Sequence, residues 1–268
     1  MQEPLISIIT ISYNCVDSIE RTIRSVLSQQ YSRFEYIIVD GGSTDGTVEI
    51  IRKYQKDLAW WVSERDRGIS DAFNKGIAAA KGTYVNLLNA GDCYVSPITL
   101  ANVEPCLHSP LVTFRFMEEN SGDVSRLAPE NELDIEKKAL LGHQATFVQK
   151  SVYDAFGGYQ TSYKIRMDFD FFLRVLPHCA VKAVDLVIVR YNAGLSGSLR
   201  HRLRYETEGL ISVFLNGRRP NSYLFKLFYQ PLWRVFMYSL KQNIKSVLRK
   251  GRQQAGVNPE AAFKRVNP

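Results

Sequence analysis

Ile37-Ile38-Val39-Asp40-Gly41-Gly42-Ser43-Thr44-Asp45-Gly46-Thr47 decides the fold class of this chain. An apolar, β-branched run stops at a carboxylate, two glycines and a string of turn-forming side chains, and helical sequence follows over Thr47–Tyr54. That pattern predicts a strand buried on both faces that delivers a polar loop at its carboxyl end. The form recurs on either side. Leu5–Ile11 precedes Ser12-Tyr13-Asn14 and the helical stretch Ile19–Ser28, which Asp17 and Glu20 introduce with capping-box spacing. Ala59–Val62 leads through Asp66-Arg67-Gly68 into a helix over Ile69–Ala80, and Thr83–Leu88 ends in Asn89-Ala90-Gly91-Asp92. Repeated β-α-β units predict an α/β fold with a Rossmann-like, mainly parallel sheet flanked by helices. Ligands of such sheets lie at the carboxyl ends of the strands. Asn14, Asp40, Asp45, Asp66 and Asp92 all follow predicted strands.

The whole chain has 268 residues, 45% hydrophobic and 23% charged, which is ordinary globular composition. Its net charge of +7 is unevenly spread. Residues 198–268 hold 14 Lys and Arg against 3 Asp and Glu, so residues 1–197 hold 20 against 24. A slightly acidic body with a basic tail disfavours a general nucleic-acid binder. Cys15, Cys93, Cys106 and Cys179 form no CxxC pair, so a zinc ribbon or disulfide framework is disfavoured and a reducing compartment fits. No run of 18 apolar residues occurs.

Four features can carry chemistry, and each has a plainer reading beside it. Asp40 at its strand end can accept a hydrogen bond from a base N–H or a ribose hydroxyl, with glycines letting the ligand approach. It can equally be part of a tight turn. Asp92 can hold Mg²⁺ or Mn²⁺ together with a diphosphate, or sit in a turn. Asp168 and Asp170, two apart at a helix start, cannot both face one way. One can reach a cleft and accept a proton while the other caps the helix, or both can cap. His143 can donate to a phosphate or orient a substrate, although a lone histidine is more often structural.

The order and placement of these signals are more specific than any one of them. Ser7–Asn14, Ile37–Thr47, Asp66–Ile69 with Asn74-Lys75-Gly76, Leu87–Asp92, His143–Phe147 with Gly157-Gly158, and Asp168–Arg174 together resemble the inverting family-two glycosyltransferases of GT-A fold. Bacterial O-antigen and exopolysaccharide transferases are the most similar group. The resemblance spans roughly residues 4–195. It implies that Thr10, Ser12, Tyr13 and Asn14 line the nucleotide pocket, that Asp40 binds the base, and that Asp66 and Asp71 close over the nucleoside. Asn89–Asp92 takes the place of the family's DxD motif, with Asn89 and Gly91 where aspartates are usual and Asp92 as the surviving metal ligand. Asp168 matches the catalytic base, with Met167 replacing the usual Glu and Asp170 in reserve, and His143 falls near the donor phosphates or the acceptor.

The expected reaction is transfer of a hexosyl or N-acetylhexosaminyl group, with inversion, from a nucleotide sugar, a UDP-sugar by preference. The expected acceptor is a hydroxyl of a glycan or polyprenyl-diphosphate-linked molecule, and the cofactor a divalent metal, Mn²⁺ or Mg²⁺. A sugar-nucleotide nucleotidyltransferase is disfavoured because no Gly-rich basic loop follows Ile11. A non-catalytic nucleotide-sugar-binding assembly protein stays open, because the metal motif is incomplete. Residues 1–198 are expected to form the catalytic domain and residues 199–268 a basic, amphipathic helical extension. Within it, residues 223–252 suit an anionic membrane surface and Pro231 a break. A cytoplasmic protein, peripheral on the inner face of the plasma membrane, is the expected setting.

Overall fold

The computed structural model describes residues 5–125, 141–191 and 199–216. Four predicted strands are present as β1 (Ile6–Ser12), β2 (Phe34–Asp40), β3 (Trp60–Ser63) and β4 (Tyr84–Asn89). Helices α1 (Ile19–Leu27), α2 (Thr47–Lys53) and α3 (Ile69–Ala79) connect them. After β4 come β5 (Cys93–Tyr94), α4 (Thr99–Val103), β6 (Leu111–Glu118), β7 (Thr146–Gln149), α5 (Lys150–Phe156), α6 (Met167–Val175), β8 (Val181–Tyr191) and α7 (Leu199–Leu215). The strands form one eight-stranded sheet in the order β3-β2-β1-β4-β7-β6-β8-β5. β1 pairs parallel with β2 and β4, and β2 with β3, as predicted. β7 runs antiparallel to both β4 and β6, so the second half of the sheet is mixed.

Apolar layers cover both faces, which is why the first strands read as unbroken hydrophobic runs. Ile9, Ile37, Val39, Phe73, Leu87 and Phe171 belong to one layer, and Ile8, Ile23, Ile38, Ile51, Leu88 and Phe147 to the other. Register then fixes the site. Ser12 stands beside Asp40, Asp40 beside Ser63, and Ile11 beside Asn89, so the parallel strands end in line. Chain order reverses between β1 and β4, and that is where ligands of open α/β sheets bind.

One expectation about α1 fails. Its N-cap is Ser18, which makes no side-chain capping hydrogen bond. The Cys15 carbonyl already accepts from the N–H groups of Ser18 and Ile19. Glu20 turns away to Arg24 and the Tyr54 hydroxyl. The chain divides into a unit over Met1–Arg219 and another over Pro220–Pro268. Helix α7 therefore groups with the first unit, past the expected boundary at 198. The stretch 223–252 expected to meet a membrane, and the break expected at Pro231, lie outside the described residues. Among the described residues no helix is long and apolar enough to cross a membrane.

Helix α3 lies close on the sheet at Gly76, where an added Cβ would stand 2.3 Å from Ile9 Cγ2. Because Ile9 is fully buried, it has no room to yield. Gly76→Ala is expected to cost about 1–3 kcal/mol through overpacking, measured as a lower denaturant midpoint. An unchanged midpoint would show that α3 can shift freely.

Candidate functional site

Asp40 is the hub of the strand ends. Its carboxylate is fully buried and accepts five hydrogen bonds, from the Ser12, Ser43 and Ser63 hydroxyls and from the Gly42 and Ser43 N–H groups. Burial alone would raise its pKa. The hydroxyl and N–H of Ser43, with Ser63 and Ser12, outweigh burial and hold the carboxyl below its ordinary value. This corrects the assignment of Asp40 to the base, because both oxygens are spent within the chain.

Other expected pocket residues also find partners within the chain. Thr10 is fully buried on the face covered by α1 and α2, and accepts from the Tyr36 hydroxyl at 3.0 Å. Asn14, at a left-handed φ of 46°, staples two loops by donating from its N–H to Ser43 Oγ and accepting from Thr44 N. Asp71 holds the loop before α3, taking the Arg67 N–H and facing the Arg67 and Lys75 side chains. Each of these three residues is engaged within the chain.

A cleft of 640 Å³ opens above this floor, with Ser12, Tyr13, Gly41, Asp66, Ile69 and Asn89 among its lining residues. The Tyr13 ring is 66% exposed at the cleft. From Asn89 a line of contacts crosses toward α6. Asn89 Nδ2 lies 3.2 Å from Asp92 Oδ2 and 3.1 Å from His143 Nε2, and His143 Nδ1 lies 3.3 Å from Asp168 Oδ2. The Asp168 carboxylate can only accept, so the Nδ1 proton points to it, and the role of Nε2 toward Asn89 follows from the tautomer. Phe73 packs edge-on against that ring. Asp92 is only 3% exposed, and the Asn89 N–H also faces it at 3.3 Å. Gly91, at φ 105°, makes the turn possible while its N–H goes to Thr22 and its carbonyl to Arg21.

Asp168 keeps a partly exposed side chain, at 26%. Burial would raise its pKa, but the hydrogen bond and charge of His143, then Arg166 and the Phe169 N–H, hold it below its ordinary value. Asp170 is different. It is fully buried, paired with Arg174 at 3.1 Å and approached by Asn216 Nδ2 at 3.3 Å. It serves neither as the reserve base nor as a cap, because the ion pair removes it from the cleft. Among the described residues no three His, Cys, Asp or Glu side chains gather to hold a metal.

The family model described as Glycosyl transferase family 2 matches residues 7–122. An uncharacterised glycosyltransferase of Mycobacterium tuberculosis is 32% identical over 205 residues, covering 74% of this chain and 78% of the relative. The chain belongs to glycosyl transferase family 2. A PGL/p-HBAD biosynthesis glycosyltransferase of Mycobacterium bovis is 28% identical over 217 residues, covering 74% of this chain and 82% of that one. Among solved structures, S. aureus TarS 1-349 in complex with UDP-GlcNAc superposes with a TM-score of 0.66 at 18% identity, over 79% of this chain and 65% of TarS. That likeness establishes the fold, the GT-A arrangement of a mixed sheet with flanking helices.

In this family 2 chain the second half of the site depends on contacts that sequence patterns did not announce. Glu208 on α7 accepts the N–H groups of Lys164, Ile165 and Arg166, just before α6. Arg166 is 3% exposed and sandwiched between the Phe169 and Tyr205 rings at 3.9 and 4.2 Å. Asn74 binds both the N–H and the carbonyl of Tyr159, and a Cβ on Gly158 would stand 2.3 Å from Asn74 Oδ1. The Asn74 and Gly158 motifs thus form one clamp.

Asp40→Asn is expected to destabilise the transferase by about 1.5–3 kcal/mol near neutral pH, since an amide nitrogen faces donors it cannot accept from. The folded pKa is depressed, so the carboxylate's stabilisation is present above its ordinary value of 3.8 and fades as pH falls below it. The gap between wild type and variant should therefore close in strong acid. A gap that persists there in thermal unfolding would contradict the hub.

Proposed function

We propose that the chain is an inverting transferase that moves a hexosyl or N-acetylhexosaminyl group from a UDP-sugar to an acceptor hydroxyl, with Asp168 as general base. The observation that carries this reading is the line from Asp92 through Asn89 and His143 to Asp168. It sets a carboxylate with a partly exposed side chain at one end and the strand-end turn over the nucleotide floor at the other. The bound donor of TarS, on the same fold, supports a uridine diphosphate sugar here.

In the reaction the acceptor oxygen forms the new bond to the anomeric carbon as its proton passes to an Asp168 oxygen. The old bond from that carbon to the diphosphate oxygen breaks, and the diphosphate takes the electron pair. Attack and departure on opposite faces invert the configuration. His143 orients Asp168 through Nδ1, and the Phe169 N–H fixes the other oxygen at 2.7 Å. One carboxylate suits a divalent metal only when phosphate oxygens complete its shell, so Asp92 would hold Mg²⁺ or Mn²⁺ jointly with the donor. When bound, such an ion offsets charge on the departing diphosphate.

The acceptor is a glycan or polyprenyl-diphosphate-linked hydroxyl in bacterial surface polysaccharide synthesis, presented at the inner face of the plasma membrane. The basic composition of residues 198–268 supports that setting, as does a relative named for PGL/p-HBAD biosynthesis. Full-length protein is expected to float with anionic vesicles at low salt and to dissociate at high salt, as an electrostatic contact should. Failure to float at low salt would remove the membrane from this proposal.

Asp168→Asn is expected to lower turnover by about 10²–10⁴ while leaving the Kd for UDP within about twofold, read by UDP release and by calorimetry. Near-normal turnover would take the base role from Asp168. The pH profile supplies a separate check. An ionised base is required, so activity falls as pH drops through the Asp168 pKa, which lies below 3.8 in the wild type. In His143→Ala the hydrogen bond and charge that oppose burial most strongly are gone, and the acid limb of kcat/KM should move to higher pH. A limb that stays in place would mean His143 does not set the base.

A further inference from the structure

The carboxylate expected to read the base is fully committed elsewhere, and a second one stands beside it. Asp66 follows β3 on the loop before α3. Its Oδ1 accepts the Gly68 N–H at 2.7 Å, which fixes the side chain. Among the described residues nothing donates to its Oδ2. That oxygen lies 2.6 Å from where a Cβ on Gly41 would stand, and Tyr13 Cδ2 lies 3.4 Å from the same point. All three residues line the cleft.

Glycine at 41 is therefore explained by space and not by backbone. Gly42 next to it has φ 83° and needs glycine for conformation, whereas Gly41 has no left-handed φ. Its N–H stays on the strand line, donating to the Ser12 carbonyl at 2.9 Å. Any side chain at 41 would occupy the place taken by the Asp66 carboxylate.

We propose that Asp66 reads the nucleobase and that Gly41 is kept bare to admit it, with the Tyr13 ring as the stacking face. The proposal rests on the reading of this cleft as a nucleoside-diphosphate site. A carboxylate is an acceptor only. It matches bases that present an imino N–H, such as uracil N3–H or guanine N1–H, and opposes cytosine, whose N3 offers a lone pair at the same place. An exposed tyrosine ring supplies a sequence-tolerant platform, so selectivity falls to the carboxylate. Two acceptors facing each other penalise the wrong base, which adds to the attraction for the right one.

The test is calorimetric titration of the full chain with UDP, GDP and CDP in Mn²⁺, for wild type, Asp66→Asn and Gly41→Ala. The wild type is expected to bind UDP or GDP about 10- to 100-fold more tightly than CDP, the scale of a charge-assisted hydrogen bond in a partly open site. Asp66→Asn keeps an oxygen for the Gly68 N–H, so its melting temperature should hold. Its amide can donate to cytosine N3, and the UDP-to-CDP ratio should collapse to about threefold or less. Gly41→Ala should displace Asp66 and lower the ratio in the same direction. Wild-type binding that ignores the base, or a preference that survives in Asp66→Asn, overturns the proposal while leaving the nucleotide site standing. Absence of binding to all three by the wild type overturns both.

Discussion

Five hydrogen bonds to one buried carboxylate hold this site together. Asp40 ends β2, and its partners come from the end of β1, the end of β3 and the loop that follows it. Three parallel strands are thereby tied at the edge where ligands of such sheets bind. A buried charge is tolerable only when its lone pairs are met, and here the chain meets them all. The consequence is a rigid floor whose central acid has nothing left to offer a ligand. The carboxylate oxygen that stays open lies on the wall of the cleft, at Asp66.

The walls are built by pieces of the chain far apart in sequence. Asn89 reaches both Asp92 and His143, so the asparagine that departs from the family's usual aspartate bridges the two ends of the site. His143 in turn restrains Asp168. Helix α6, which carries Asp168, is anchored by Arg174 donating to the Phe156 and Gly158 carbonyls and by Glu208 from α7. Asp168 thus rests on a scaffold of paired buried charges, each placed on an element rather than a free loop.

The parallel half of the fold was legible because strands buried on both faces leave unbroken apolar runs, and each ended in a recognisable polar turn. In the mixed half, β7 and β8 were not. β7 has four residues, and β8 is largely half-buried, so neither gives a strong period. Site residues divided in the same way. Sequence position placed Ser12, Tyr13, Asp66, Asn89, Asp92, His143 and Asp168 at the ends of elements, and the structure gathers them around the cleft and the line of contacts that leaves it. It could not separate side chains that spend their lone pairs internally, such as Asp40, Asn14 and Asp71, from those that face the cleft. That distinction is set by neighbours across the sheet. Ser63 and Glu208 carried no local signal at all, because their partners lie 23 and 42 residues away.

Glu208 also imposes an order in time. The chain emerges from the ribosome N-terminus first, and domains fold as their sequence becomes available. The sheet through β8 can assemble before α7 exists. Until Glu208 appears, three N–H groups ahead of α6 lack their carboxylate, and Arg166 lacks the Tyr205 ring. Until α7 docks, the start of the helix bearing Asp168 lacks the contacts that fix it, although every strand of the sheet precedes α7 in the chain.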